Sequence, residues 1–148
     1  IKWNEEFYRL FVNWTPLNSL ILNMELRFEN FRGSELAPEK YETAYLPLNI
    51  RFYDDSGFFA DLTGQYVHQS VAASHPLLLN FNFDSNFFLV DAAIGYRFPQ
   101  RYGIFSLEAK NLLDKNFKYA DRSFQMNEFR ASDLIPERLL YARITFNF

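Results

Sequence analysis

Apolar and polar residues alternate along most of the chain, most cleanly at its C-terminal end. There Leu140, Ala142, Ile144, Phe146 and Phe148 share one parity, and Tyr141, Arg143, Thr145 and Asn147 share the other. Successive side chains of a strand point to opposite faces, so this stretch predicts a strand with one apolar and one polar face. Earlier stretches read the same way. Tyr8, Leu10, Val12 and Trp14 stand against Arg9, Phe11 and Asn13, and Leu20, Leu22, Met24, Leu26 and Phe28 against Asn23, Glu25, Arg27 and Glu29. Leu46, Leu48, Ile50 and Phe52 oppose Asn49 and Arg51, while Ala60, Leu62, Gly64 and Tyr66 oppose Asp61, Thr63 and Gln65. Val90, Ala92, Ile94, Tyr96 and Phe98 oppose Asp91, Ala93, Gly95 and Arg97, and Phe105, Leu107 and Ala109 oppose Ser106, Glu108 and Lys110. The expected fold is all-β, an antiparallel meander of about seven strands with no confident helix.

The connections sort by length. Short turns are expected at Thr15–Asn18, Asp54–Gly57 and Pro99–Tyr102. Long connections are expected over Gly33–Glu42, from about Ser70 to Asn86, and from about Asp114 to Glu137. Strict alternation of short and long connections belongs to transmembrane barrels, which keep tight turns at one rim and extended loops at the other. A strand with one apolar face also fits a soluble sandwich. Pro47 sits within a predicted strand, where a missing ladder donor predicts a bulge or a rise beyond the membrane.

Each hairpin can be folded about its turn to predict cross-strand partners. Folding about Leu17 pairs Arg9 with Glu25 and Asn13 with Ile21. Folding about Ser56 pairs Arg51 with Asp61 and Asn49 with Thr63. Folding between Gln100 and Arg101 pairs Asp91 with Lys110 and Arg97 with Ile104. Opposite charges thus meet on the polar face of every hairpin, as in a watery, charge-balanced lumen.

Composition sharpens this picture. Of 148 residues, 49% are hydrophobic and 20% aromatic, yet mean hydropathy is only -0.23. Heavy aromatic use without overall hydrophobicity suits alternating strands with aromatic girdles. Near the short turns lie Trp14, Phe52, Phe59, Tyr96, Phe98, Phe146 and Phe148; near the long loops lie Tyr8, Phe28, Phe31, Tyr45 and Phe88. Both sets are expected to face lipid at the rims. A formal charge of -3 argues against nucleic acid as a partner, and zero Cys removes thiolate chemistry and disulfides. No apolar run is long enough for a transmembrane helix. The opening Ile1-Lys2-Trp3-Asn4 shows neither an initiating Met nor a leader, and the expectation is a segment of a longer chain.

The segment from Val90 to Phe117 contains a Gly95-Tyr96-Arg97-Phe98 strand end, a tight turn, then Asn111-Leu112-Leu113-Asp114-Lys115-Asn116-Phe117. It resembles the penultimate hairpin of TonB-dependent outer-membrane receptors, whose motif reads Asn-Leu-Phe-Asp-Lys-x-Tyr; Leu113 and Phe117 depart from it. The terminal strand, with Ile144, Phe146 and Phe148, resembles the signal read by barrel insertion machinery. The likeness covers about the last 60 residues, while earlier strands fit only as generic barrel strands. It implies a barrel of about 22 strands plugged by an N-terminal domain. This chain would then be the C-terminal part of the wall. Its implied partners are the outer-membrane bilayer of a Gram-negative bacterium, the remaining strands, the plug, the insertion machinery and, through an upstream part, TonB. The implied function is nutrient uptake. Alternatives are a channel or exporter barrel without TonB coupling, and a soluble all-β binding module.

Candidate chemistry is sparse. His68 and His75 are the only histidines; His68 is expected on the lipid side, and nothing orients either as a base for Ser70. No metal spacing or phosphate loop appears, so neither an enzyme nor a cofactor is expected. Specificity would reside in the loops. The apolar run from His75 to Phe83 reads as a folded loop, and Tyr119, Arg122, Phe124 and Arg130 are ligand candidates that can equally pack as a lid. Arg9, Glu25, Arg51, Asp61, Asp91 and Lys110 are the expected lumen charge pairs.

Overall fold

The alternating stretches form one antiparallel meander. The computed structural model describes residues 3–33, 39–75, 78–119 and 134–146. Its strands are β1 (Trp3–Leu17), β2 (Leu20–Gly33), β3 (Lys40–Tyr53), β4 (Phe58–His75), β5 (Leu78–Arg97), β6 (Gly103–Lys110) and β7 (Leu139–Phe146). They lie in sequence order in one seven-stranded open sheet, with β1 and β7 at its edges. Side chains from one face of β3 to β7 line a common cleft, so the sheet curls and has a concave and a convex side.

The second and third hairpins have the predicted register, Arg51 facing Asp61 and Arg97 facing Ile104. The Asp54–Gly57 turn needs Gly57, whose φ of 99° is left-handed and whose missing Cβ leaves room for the Arg97 carbonyl. The first hairpin is shifted by two residues: Arg9 faces Arg27, and Asn13 faces Asn23. Here β1 runs on through Pro16 with a bulge between Trp14 and Leu17, and the reversal sits at Asn18–Ser19. Pro47 makes no bulge, because the β2–β3 register is the same on either side of it and Pro47 faces Gln65 in unbroken pairing with β4.

The long connection expected from Ser70 to Asn86 does not form. Strands β4 and β5 continue instead, pairing Gln69 with Ser85 and Val71 with Phe83 out to His75 and Leu78. Strict alternation of connection lengths is lost with it. The cause is an inversion of hydrophobic phase. Along β4 the apolar parity passes from Leu62 and Tyr66 on the convex side to Val67 and Val71 on the concave side. Along β5 it passes from Phe83, Phe87 and Leu89 to Val90, Ala92 and Ile94. A break in alternation resembles a loop in sequence, although the backbone stays extended.

The convex face therefore carries an apolar belt free of charged side chains: Tyr8–Trp14 on β1, Leu20–Phe28 on β2, Ala44–Phe52 on β3, Phe58–Tyr66 on β4, Phe88–Tyr96 on β5, Phe105–Ala109 on β6 and Leu140–Phe146 on β7, counting alternate residues. At about 3.4 Å per residue, eight steps from Leu20 to Phe28 span about 27 Å along the strand. Above the belt, away from the tight turns, the same face becomes charged. Glu42 pairs with Lys40 at 2.8 Å and Arg32 at 3.2 Å, while His68 approaches Asp84 at 3.9 Å.

Most of the aromatic residues assigned to the rims lie on the convex side, including the Tyr8–Phe28 ring pair at 6.3 Å. Phe31, Tyr45 and Phe59 do not. Their parity puts them on the concave face, where Phe31 is buried with Tyr41 and Val71, Tyr45 bonds to Gln65, and Phe59 lies under Gly95.

Candidate functional site

The concave face divides at the level of Gln65. Toward the tight turns it is a hydrogen-bonded polar surface, and the predicted charge pairs lie in it. Arg9 Nε reaches Glu25 at 2.8 Å despite the shifted register, because the two are diagonal neighbours across the β1–β2 pair. Arg27 Nη2 reaches the same carboxylate at 2.8 Å. Arg51 donates to Asp61 at 2.6 Å, and Lys110 to Asp91 at 2.9 Å. Arg9 and Arg51 are nearly half exposed, so each pair fixes register more than it stabilises, at roughly 0.2–1 kcal/mol.

Neutral side chains join these pairs across the sheet. Arg27 lies over the Tyr45 ring at 5.5 Å. The Tyr45 hydroxyl donates to Gln65 at 2.6 Å, and the Gln65 amide donates to Asp91 at 3.0 Å. On β6 and β7, Glu108 accepts from the Tyr141 hydroxyl at 2.6 Å and Ser106 at 2.9 Å, with Arg143 at 3.4 Å. Asn49 donates to both Asp61 and Thr63 at 2.8 Å and accepts from Asn23 at 3.0 Å. Pattern reading places Gln65 and Tyr141 on the polar face without singling them out as partners of the charges, and it puts Tyr45 among the rim aromatics, although Tyr45 shares the parity of the charges.

Beyond Gln65 the concave face turns apolar. Val67, Phe87 and Leu89 are buried, with Tyr45, Phe117, Tyr119 and Leu134 packed on them. Phe117 stacks on Phe87 at 4.2 Å, and Tyr119 meets Phe87 edge-on at 6.4 Å. Gln69, fully buried, donates to the Tyr41 hydroxyl at 3.0 Å and to Thr43 at 3.2 Å. Of the loop candidates, Tyr119 therefore packs as part of a cover; Arg122, Phe124 and Arg130 lie outside the described residues.

The Asn111–Phe117 motif builds this cover. Asn111 is buried in a left-handed conformation with φ 46°, at the point where β6 ends. Its backbone N–H donates to Asp91 at 2.9 Å. Its amide donates to the carbonyls of Lys115, Ile135 and Pro136 at 3.0, 3.3 and 3.2 Å, while Oδ1 accepts from the Lys115 N–H at 2.9 Å. One side chain thus closes the turn after β6 and ties it to the approach to β7. Asp114, with φ 53°, adds an ion pair to Arg138 at 3.0 Å, which holds its carboxyl below the usual range. Leu112 N–H donates to the Val90 carbonyl at 2.7 Å, anchoring the turn on β5. Phe117, the motif's last residue, is then delivered onto Phe87.

Ile144 and Phe146 lie exposed on the convex face of edge strand β7, and Phe148 lies outside the described residues. His68 also has convex parity; it lies 3.9 Å from an exposed Asp84, and among the described residues no hydrogen bond orients it as a base for Ser70. Among the described residues no group of three or more His, Cys, Asp or Glu could hold a metal, and no helix is long and apolar enough to cross a membrane. Neither a protein-family model, nor a curated protein, nor a solved structure matches this chain.

Proposed function

We propose that the chain forms part of the wall of a transmembrane β-barrel in the outer membrane of a Gram-negative bacterium, within a TonB-dependent receptor-like transporter for nutrient uptake. The convex apolar belt carries the reading. Leu10, Trp14, Leu48, Ile50, Leu62, Ile94, Leu107, Leu140, Ile144 and Phe146 stand about 40–70% exposed on it, with no charge among them. Moving such side chains fully out of water favours an apolar surrounding by on the order of 10 kcal/mol in total, at ~1.5–3 kcal/mol for each complete burial. Water is a poor solvent for that surface, and lipid a good one. Tilted by about 35–45°, the ~27 Å of strand within the belt rises about 19–22 Å, which takes up most of an apolar band of about 25 Å. The concave side, with its charges bonded to one another, suits the lumen, and the two open edges would pair with further strands. The assignment to the receptor class rests on the Asn111–Phe117 resemblance.

The test uses Leu48→Arg, at the centre of the belt on β3. The wild-type chain should fold in detergent micelles or lipid vesicles, with strand circular dichroism and protease-protected tight turns. The variant should lose ~2–4 kcal/mol of stability there, the cost of a cation at mid-bilayer. A wild-type chain that is folded and monodisperse without detergent, together with an unperturbed Leu48→Arg variant, would sink the membrane reading.

A further inference from the structure

The tight-turn half of the concave face holds a cleft of about 470 Å³, lined from β3 to β7. Its charged lining comprises Arg51, Arg97, Lys110 and Arg143 against Asp61, Asp91 and Glu108, one more cation than anions. The carboxylates are well supplied with donors. Asp61 takes Arg51 at 2.6 Å and Asn49 at 2.8 Å; Asp91 takes Lys110 and the Asn111 N–H at 2.9 Å and Gln65 at 3.0 Å. Glu108 takes Tyr141 at 2.6 Å and Ser106 at 2.9 Å, leaving Arg143 a looser approach of 3.4 Å with 60% of its side chain exposed. Arg97 has no carboxylate partner among the described residues. Its guanidinium lies 6.0 Å from the centre of the Tyr53 ring. A guanidinium backed by an aromatic face keeps its N–H fork for a partner in its own plane.

The register brings these two arginines to one place. Gly95 faces Ser106, which faces Arg143; one pleat nearer the turns, Arg97 faces Ile104, which faces Thr145. Strand spacing puts the two backbones about 12 Å apart, within reach of two converging arginine side chains. Between them the lining holds Ala93 and Ser106, with Ile104 and Thr145 toward the turns and the Phe59 ring against Gly95. Excess positive charge and two guanidiniums with donors to spare are what an oxyanion requires.

We propose that this cleft is an oxyanion-binding site in which Arg97 and Arg143 take a carboxylate or phosphate group. The proposal goes beyond the membrane reading and stands on the cleft alone. It is tested on the full chain, folded in detergent micelles, by following arginine Nε–H resonances by NMR. Inorganic phosphate and succinate are titrated in separate arms at fixed ionic strength. Saturable shifts at Arg97 and Arg143 are expected in at least one arm, the arm that responds identifying the oxyanion. Arg97→Gln and Arg143→Gln should each weaken binding about tenfold, the loss of a charge-assisted hydrogen bond, and Arg32→Gln should not. If circular dichroism shows Arg97→Gln to be misfolded, Arg97→Lys, which keeps charge but not the fork, should still bind measurably more weakly. Shifts that never saturate, that KCl reproduces, or that the folded Arg97 variant leaves unchanged overturn the proposal.

Discussion

Replacing Asn111 by Ala should release the cover from the concave face. The side chain donates to three carbonyls and accepts one N–H in a site that is 1% exposed. Two amide hydrogens serve the three carbonyls, so about three net hydrogen bonds are lost, at ~0.5–1.5 kcal/mol each. The backbone adds to this. With φ at 46°, Asn tolerates the left-handed region, whereas Ala costs roughly 1 kcal/mol more there. The sum is about 3–5 kcal/mol for Asn111→Ala. Asn111→Gly removes the backbone share alone and should be milder by about 1 kcal/mol. Equilibrium urea unfolding in detergent gives the global loss, and amide hydrogen exchange at Lys115 and Phe117 gives the local one. Exchange there should speed up before β3 and β4 respond, because Asn111 makes most of the hydrogen bonds that tie the cover together. A loss below about 0.5 kcal/mol in Asn111→Ala, with exchange at Lys115 unchanged, would refute the assignment of Asn111 as the tie.

Three further substitutions test separate parts of the fold. At Gly57 a Cβ would lie 2.5 Å from the Arg97 carbonyl at a φ of 99°, so Gly57→Ala should cost at least ~1–2 kcal/mol in urea unfolding; at Gly95 it would meet the Phe59 ring and the Phe105 carbonyl, and Gly95→Ala should likewise destabilise. The Asp114 carboxyl is held below its ordinary value of 3.8 by Arg138, so its contribution is fully present above that value and is lost as pH falls through the lower, folded one. Arg138→Gln should therefore flatten the fall in urea midpoint below about pH 4 and change little near neutrality beyond a constant offset.

What could be read from sequence alone follows from local geometry. A strand's period of two made the apolar parity of Leu20 to Phe28 or Leu46 to Phe52 visible residue by residue. Turns such as Asp54–Gly57 are set by nearby residues with a preference for tight reversal. Those two facts determined the meander, the registers of the second and third hairpins, and the contacts Arg51–Asp61 and Asp91–Lys110. The Asn111–Phe117 motif was recognisable as a pattern, but its work was not, because Asn111 bonds to carbonyls of Ile135 and Pro136 far along the chain. The same limit hid the phase inversion in β4 and β5. Alternation reports which side of a strand is dry, and only the packed sheet decides where that side changes. Here it changes because Phe117, Tyr119 and Leu134 fold back over Val67, Phe87 and Leu89, turning the upper concave face into a core. Tertiary structure also decided the bulge at Trp14–Leu17 and the run from Tyr45 through Gln65 to Asp91, since each depends on which strands lie side by side.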